Sequence, residues 1–334
     1  MEEIRLSHGG GGRLSRQLIE NEIAPLLKNP LVDAMEDSAV FSVEQSRLAF
    51  TTDSYVVHPL FFPGGDIGRL AVCGTVNDLS MVGATPLYIS LGLIIEEGFS
   101  LEDLRRILRS IRETAAEADV QVVTGDTKVV ERGKGDGLYI NTSGVGVIGQ
   151  TPRPDISNVR PGDMVVINGP LGQHGMAVMT ARRDLGFETQ IPSDVRPLNH
   201  LVRAMMIQGP GVHALRDATR GGLVTVCHEI ACQSGVGIEL TETDIPVEDP
   251  VKGACEMLGY DPLYVANEGV LVAFIAPEAL DRILKAMRER EDGRRSTVIG
   301  RVTGTPQKRV VLRTSLGSHR LLDLLSGEQL PRIC

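Results

Sequence analysis

The chain has no tryptophan, few aromatic residues of any kind (4%), no CxxC pair and no excess of positive charge. Each absence removes a class. Nucleic-acid binding calls for a basic surface and aromatic stacking platforms. A 334-residue chain with a net charge of −9 offers neither, and no nucleic-acid partner is expected. Its most apolar stretches, such as "LYISLGLII" (87–95), are too short to cross a bilayer, so no membrane is expected either. The charged opening "MEEIRLSHGGGG" lacks the apolar stretch of a secretory signal, and a cytoplasmic location is the expectation. Five cysteines, an odd number without metal spacing, give no disulfide framework. Cys73, Cys227, Cys232 and Cys255 read as ordinary core or helix residues. What remains is 42% hydrophobic and 23% charged, the balance of a folded globular protein long enough for two ordinary domains.

Periodicity supplies the organisation. "RLSRQLIENEIAPLL" (13–27) and "DIGRLAVCGTVNDLSMVGA" (66–84) carry apolar residues at helical spacing. "SLEDLRRILRSIRETAAEA" is the clearest helix, with Ser100 as its cap and Leu101, Leu104, Leu108 and Ile111 as its apolar face. "RLAFTTDSYVV", "LYISLGLIIEE", "DVQVVTGDT" and "GLYINTSGVGVIG" read as strands. Three prolines in "QTPRPDISNVRPGD" (150–163) mark a linker, after which strand and helix alternate again through "DMVVINGPLGQHG", "PEALDRILKAMRERE" and "STVIGRVT". Two α/β domains are expected. The divisions are a glycine-rich segment and helix (1–36), a first domain (37–155), a second domain (156–305) and a mobile tail (306–334) that ends "PRIC".

"GVGVIG" (144–149) matches the dinucleotide fingerprint GxGxxG, but the glycines lie inside a strand and are followed by "QTPRP", which opens no long helix. No Walker-type phosphate loop occurs. The run His8, Gly9, Gly10, Gly11 and Gly12 opens onto a helix and either cradles phosphate with its amides or forms a loose leader. Asp37, Asp53, Asp78, Asp126 and Asp217 all stand in turn-rich or strand-end settings. Singly, each is a cap or turn residue. Together in one cleft they would repel unless cations neutralised them, and magnesium with a triphosphate does that.

The segments "HGGGG", "TTDSYVVHPLFFPGGDIGRLAVCGTVNDLSMVGA", "VTGDTKVVERG", "LRDATRGG", "ANEG" and "PRIC", in this order over essentially the whole chain, resemble the HypE family of hydrogenase maturation factors. That family sits in a superfamily with aminoimidazole ribonucleotide synthetase, selenophosphate synthetase and thiamine monophosphate kinase. The resemblance implies a two-domain aminoimidazole ribonucleotide synthetase-like α/β (α+β) fold, each domain a mixed sheet with packed helices, in a homodimer that uses ATP and Mg2+. It implies that Cys334 receives a carbamoyl group from the carbamoyltransferase HypF. ATP-dependent dehydration then gives a thiocyanate, whose cyano group passes to iron on the HypC–HypD scaffold for a nickel–iron hydrogenase.

Residue by residue, the resemblance assigns magnesium to Asp37, Asp53, Asp78, Asp126 and Asp217. Nucleotide contacts fall to the glycine run, Asp53, Asn77, Asp126 and His174. Cys334 becomes the carrier, Glu268 the base, Lys128 a neutraliser of phosphate or amide charge, and Asn267 an orienter of the amide. Each has a plainer alternative: Lys128 as a surface lysine, Glu268 as a turn residue, His174 as an exposed loop histidine. The resemblance to selenophosphate synthetase stops at the glycine run, which carries neither cysteine nor lysine, and a thiamine phosphate kinase leaves "PRIC" without a role. A rival of another class is an ATP-binding scaffold or metal-delivery protein in which the terminal thiol holds metal.

Overall fold

A computed structural model describes residues 12–23, 25–26, 31, 36–149, 152–182, 191–325, 330 and 332–334. Helix α1 (Arg13–Leu18) runs into a π turn (Ile19–Ile23). Five strands follow in one sheet: β1 (Ala39–Val43), β2 (Ser46–Tyr55), β5 (Ala84–Glu96), β6 (Gln121–Val130) and β7 (Leu138–Ile148), in the order β1-β2-β7-β5-β6. Between β2 and β5 lie the short pair β3 (Phe61–Phe62) and β4 (Gly65–Asp66) and then helix α2 (Ile67–Met81). Asp66 caps α2 by accepting from the amides of Gly68 and Arg69. Helix α3 (Leu101–Glu117) joins β5 to β6, and Ser100 accepts from the Asp103 amide as its cap. Its buried face is Ile107, Ile111, Thr114 and Ala115, with Leu104 half-buried; the expected Leu101 and Leu108 are exposed because the helix lies rotated onto α2.

The second sheet has seven strands in the order β14-β13-β10-β12-β8-β11-β9. They are β8 (Met164–Ile167), β9 (Val212–Asp217), β10 (Gly237–Thr241), β11 (Leu271–Ile275), β12 (Thr297–Thr303), β13 (Arg309–Arg313) and β14 (His319–Leu322). Interleaved with them are α4 (Gln173–Thr180), α5 (Asn199–Met206), α6 (Gly222–Ser234), α7 (Asp249–Leu258) and α8 (Leu280–Arg288). The expected start of a tail at 306 gives way to sheet: β13 pairs parallel to β10, and Val310, Leu312 and Leu322 bury their side chains in the second domain's core. The run "GVGVIG" lies in β7 and its extension, as a strand and not a phosphate loop.

One apolar cluster joins the two halves. It contains Tyr55, Leu70 and Cys73 from the first, Met176, Val251 and Val265 from the second, and Ile333 from the end of the chain. The two sheets are therefore fixed against each other at a cleft whose wall includes the last residues.

Candidate active site

Alternation along β2 turns Thr51, Asp53 and Tyr55 toward α2. Tyr55 is buried, and its hydroxyl donates to Asp53 Oδ2 at 3.2 Å. Gly74, mid-helix in α2, is what admits it: a β-carbon there would collide with Tyr55 Oη. Glycine is a poor residue inside a helix, so this close approach explains its presence. Asp78, one turn beyond, accepts from Thr51 Oγ1 at 2.8 Å, and the same hydroxyl lies 3.0 Å from the carbonyl of Asp37. The end of β9 brings Arg216 and Asp217. Buried Arg216 is paired with Asp37 at 2.5 Å. The turn into α6 carries Arg220, followed by Gly221 and Gly222 at φ of 76° and 62°. Glu268 stands just before β11 and is 3% exposed. Asp194 Oδ2 accepts from the amides of Glu268 and Gly269, at 3.2 and 2.9 Å, and fixes that loop.

The charges press on one another. Burial, then Asp53, Asp217 and Asp37, hold the Asp78 carboxyl well above the usual carboxylate range. Burial with Asp37 and Asp53 pushes Asp217 up to about 8, against the pull of Arg216. Burial and then Asp217, Asp194 and Asp53 raise Glu268, which Arg220 opposes. Arg220 keeps part of its surface in solvent yet is surrounded by negative groups. Its strongest electrostatic partner is Cys334, followed by Asp53, Glu268 and Tyr55, and these hold it charged.

Cys334 reaches this place because the end of the chain pairs with the segment after β2. Val56 N–H donates to Cys334 O and His58 N–H to Arg332 O, each at 3.1 Å. Arg332, at φ 55°, donates from Nε to Val56 O at 3.0 Å and pairs with Asp136. Ile333 is 4% exposed in the core that joins the domains. The tail is thus docked in its own chain's cleft.

Of the residues expected from the sequence, Asp37, Asp53, Asp78, Asp217, Glu268 and Cys334 come together. Three others are committed elsewhere. Asn77 accepts from Leu198 N at 2.7 Å and donates to the carbonyls of Arg196 and Glu268, tying α2 to the second domain and leaving nothing for a nucleotide. Asn267, wholly buried, accepts from Gly172 N and donates to the carbonyls of Ala218 and Val265, so its amide is fully used by backbone. His174 is neither exposed nor turned to the cleft: it is buried and bonded to Ser193 Oγ and Ile333 O.

Asp126 and Lys128 stand apart as an exposed pair on β6, with Lys128 Nζ 2.6 Å from Asp126 Oδ2. Gly12 accepts from Arg16 N, and neighbouring Arg13 bonds to Leu325 O, beside the end of β14. His8, Gly9, Gly10 and Gly11 lie outside the described residues. Sequence reasoning passed over Tyr55, Arg216 and Arg220. The two arginines sit within "LRDATRGG", and the signal there was a pair of cations flanking an acid in a glycine turn after a strand.

Among the described residues, no group of three or more His, Cys, Asp and Glu side chains could hold a metal ion unaided. Magnesium seldom needs such a cage, since it takes one or two carboxylates and fills its shell with water and phosphate oxygen. Asp37 Oδ2 is buried with no hydrogen-bond partner among the described residues. An all-oxygen donor set under mutual repulsion fits a hard cation that arrives with phosphates.

Residues 35–148 match the family model of the AIR synthase related protein N-terminal domain, and 160–313 that of its C-terminal domain. The carbamoyl dehydratase HypE of Azotobacter vinelandii is 50% identical over 331 residues, covering 99% of this chain and 97% of that protein. The carbamoyl dehydratase HypE of Escherichia coli K12 is 44% identical over 339 residues, with both chains fully covered. A solved HypE–HypF complex superposes with a TM-score of 0.88 at 48% identity, over 92% of this chain and 99% of that one. HypE solved in complex with ATP gives 0.83 at 44% identity, covering 98% of each. Thiamine monophosphate kinase of Aquifex aeolicus, at 19% identity and a TM-score of 0.68, over 92% of this chain and 99% of that one, shares the fold alone. With half its residues shared along almost its entire length, on both domains of the AIR synthase fold, the chain belongs to the HypE carbamoyl dehydratase family.

Proposed function

We propose that the protein dehydrates a carbamoyl group carried on Cys334, with ATP as phosphoryl donor. The product thiocyanate supplies the cyanide ligand of the iron in a nickel–iron hydrogenase. The observation that carries this reading is the seat of Cys334 against its own chain, its carbonyl held by the Val56 amide, with Cys334, Asp53 and Glu268 all acting electrostatically on Arg220.

The reaction balances as follows. The carbamoyl oxygen bonds to the outermost phosphorus as the bond to ADP breaks. Two protons leave nitrogen, and the carbon–oxygen bond breaks as phosphate departs, so –S–C(=O)–NH2 becomes –S–C≡N. Magnesium, bound with ATP, would neutralise phosphate charge, and Asp78 and Asp217, with Asp53 and Asp37 beside them, would hold it.

The chain's own residues do the rest. Glu268 is the base. Its loop is fixed by Asp194, and its raised pKa brings ionisation closer to neutral pH, where a general base works best. Arg220, coupled electrostatically to Cys334, carries positive charge into a site where negative charge accumulates. The tail's backbone pairing removes the freedom that an attack would otherwise have to freeze out.

Asp126 and Lys128 enter from a second copy in this reading. They project on the open face of the first sheet, which also exposes Phe50, Tyr88 and Ile94, a surface suited to a homodimer. The solved relative with HypF supports a HypF-type carbamoyltransferase as donor, and an iron scaffold of the HypC–HypD kind is the recipient. The setting is cytoplasmic.

Intact-protein mass spectrometry tests the reading. Cys334 should gain one carbamoyl unit from the donor enzyme and lose one water only with magnesium and ATP present. Water loss without nucleotide, or carbamoylation of Cys334→Ser, would overturn it.

A further inference from the structure

Among the buried polar side chains that the mechanism above leaves without a task, one touches the end of the chain. His174 lies in the first turn of α4 and is fully buried. Its Nε2 is 3.0 Å from the carbonyl oxygen of Ile333, and its Nδ1 is 2.8 Å from Ser193 Oγ. A carbonyl can only accept, so Nε2 carries the proton. Burial lowers the pKa of His174 and favours the neutral ring, whose bare Nδ1 accepts from the Ser193 hydroxyl. That hydroxyl is itself placed by the Val195 amide at 3.1 Å. Phe62 meets the imidazole edge to face, with centroids 5.3 Å apart. The ring is thus held from three sides, with its one N–H aimed at the residue before Cys334.

The neighbouring positions serve the same end. A β-carbon at Gly175 would lie 3.0 Å from Leu330 Cδ1 and 2.5 Å from Val265 Cγ1, so glycine there leaves the tail its room. Arg182, just past α4, donates from Nε to His58 O at 3.2 Å and lies 3.5 Å from Arg332 O. The stretch "GQHG", which invites a phosphate-loop reading, faces the tail instead.

We propose that His174 is the positioning residue for the reaction: oriented by Ser193 and Phe62, it grips the Ile333 carbonyl and so fixes Cys334 in the surroundings of Arg220. It touches neither sulfur nor nucleotide and acts through the backbone one residue away. This assignment rests on the dehydratase reading for its catalytic consequence, but the grip itself does not.

Hydrogen exchange separates the two. Val56 and His58 donate their amides to Cys334 and Arg332, so their exchange reports docking directly. His174→Phe keeps an aromatic ring and removes the donor. In the full-length variant, exchange at Val56 and His58 should quicken about tenfold, the equivalent of about 1.4 kcal/mol. Amides in β7 should stay unchanged. His174→Gln, which restores an N–H, should recover part of the protection. Dehydration of preloaded carbamoyl–Cys334 should slow as docking is lost, while loading by the donor enzyme should not.

Wild-type exchange at Val56 and His58 in a folded His174→Phe protein overturns the proposal. Should that variant not fold, Ser193→Ala, which frees the ring to turn, must show the same local quickening, and its absence is equally decisive. Altered exchange with no dehydration in the wild type would sink the dehydratase reading and leave the grip standing.

Discussion

Asp53 and Asp126 lie on opposite faces of one sheet. Asp53 pairs with Thr142 on β7, Thr142 with Leu91 on β5, and Leu91 with Gly125 on β6. Partners across a sheet share a face, and the next residue takes the other. Asp126 and Lys128 therefore point away from the cleft that holds Asp53. A dimer reconciles them with the chemistry, and it predicts complementation. Lys128→Ala and Cys334→Ala proteins, each inactive alone, should regain thiocyanate formation when mixed and allowed to exchange subunits. No recovery after demonstrated exchange would place Lys128 in the same chain's site, and full activity of Lys128→Ala alone would place it outside the reaction.

Glu268→Gln should trap the carbamoylated protein, with single-turnover dehydration slowed at least ~100-fold, the usual worth of a general base. Because burial and neighbouring acids raise its pKa, the working, ionised form is reached only above the ordinary carboxylate range. Wild-type dehydration should therefore rise with pH through that higher range. A rate independent of pH there, or normal thiocyanate yield from the variant, would remove Glu268 from the role.

The acid cluster predicts how the metal-free protein responds to pH. The folded pKa of Asp217, about 8, lies above its unfolded value, so the folded state binds that proton more tightly. Its contribution is complete in acid and is lost as pH rises through about 8. Asp78 is shifted in the same direction. Without metal, the melting temperature should fall by several degrees between about pH 5 and about pH 8. Asp217→Asn should flatten that fall and weaken ATP binding with magnesium. A melting temperature that rises over this range contradicts the electrostatic picture.

Asn267→Ala should act on stability before chemistry. Its side chain joins the Gly172 amide to the carbonyls of Ala218 and Val265 within the protein interior. Loss of that pin should destabilise the fold by roughly 2–4 kcal/mol, because buried polar groups are left unpaired. Denaturant unfolding measures it. An unchanged midpoint together with lost dehydration would return Asn267 to the substrate.

Much of this was legible in the sequence for physical reasons that act locally. Ser100 caps α3 where a short oxygen side chain precedes an apolar period. The acids beside strand ends and the terminal thiol stood out because their settings are unusual in composition. What escaped was set by pairing between distant segments. The open face of β6 follows from register across three strands, and "DVQVVTGDT" read alone does not contain it. Val310 and Leu312 extend the sheet past the expected tail boundary only because β10 lies alongside them. His174 and Asn267 look like site residues in sequence, being polar and beside glycines. Their hydrogen bonds to backbone far along the chain make one a holder of the tail and the other a structural pin.

The most direct test of the central claim follows the carbamoyl oxygen. Cys334 loaded with a carbamoyl group bearing heavy oxygen is given magnesium and ATP, and the label is traced by mass spectrometry. Phosphorylation of that oxygen predicts that the label leaves in inorganic phosphate, with one labelled phosphate for each thiocyanate formed. Label appearing in water, with unlabelled phosphate, would mean that ATP is hydrolysed separately and that the cleft does not bring Cys334 to the phosphate.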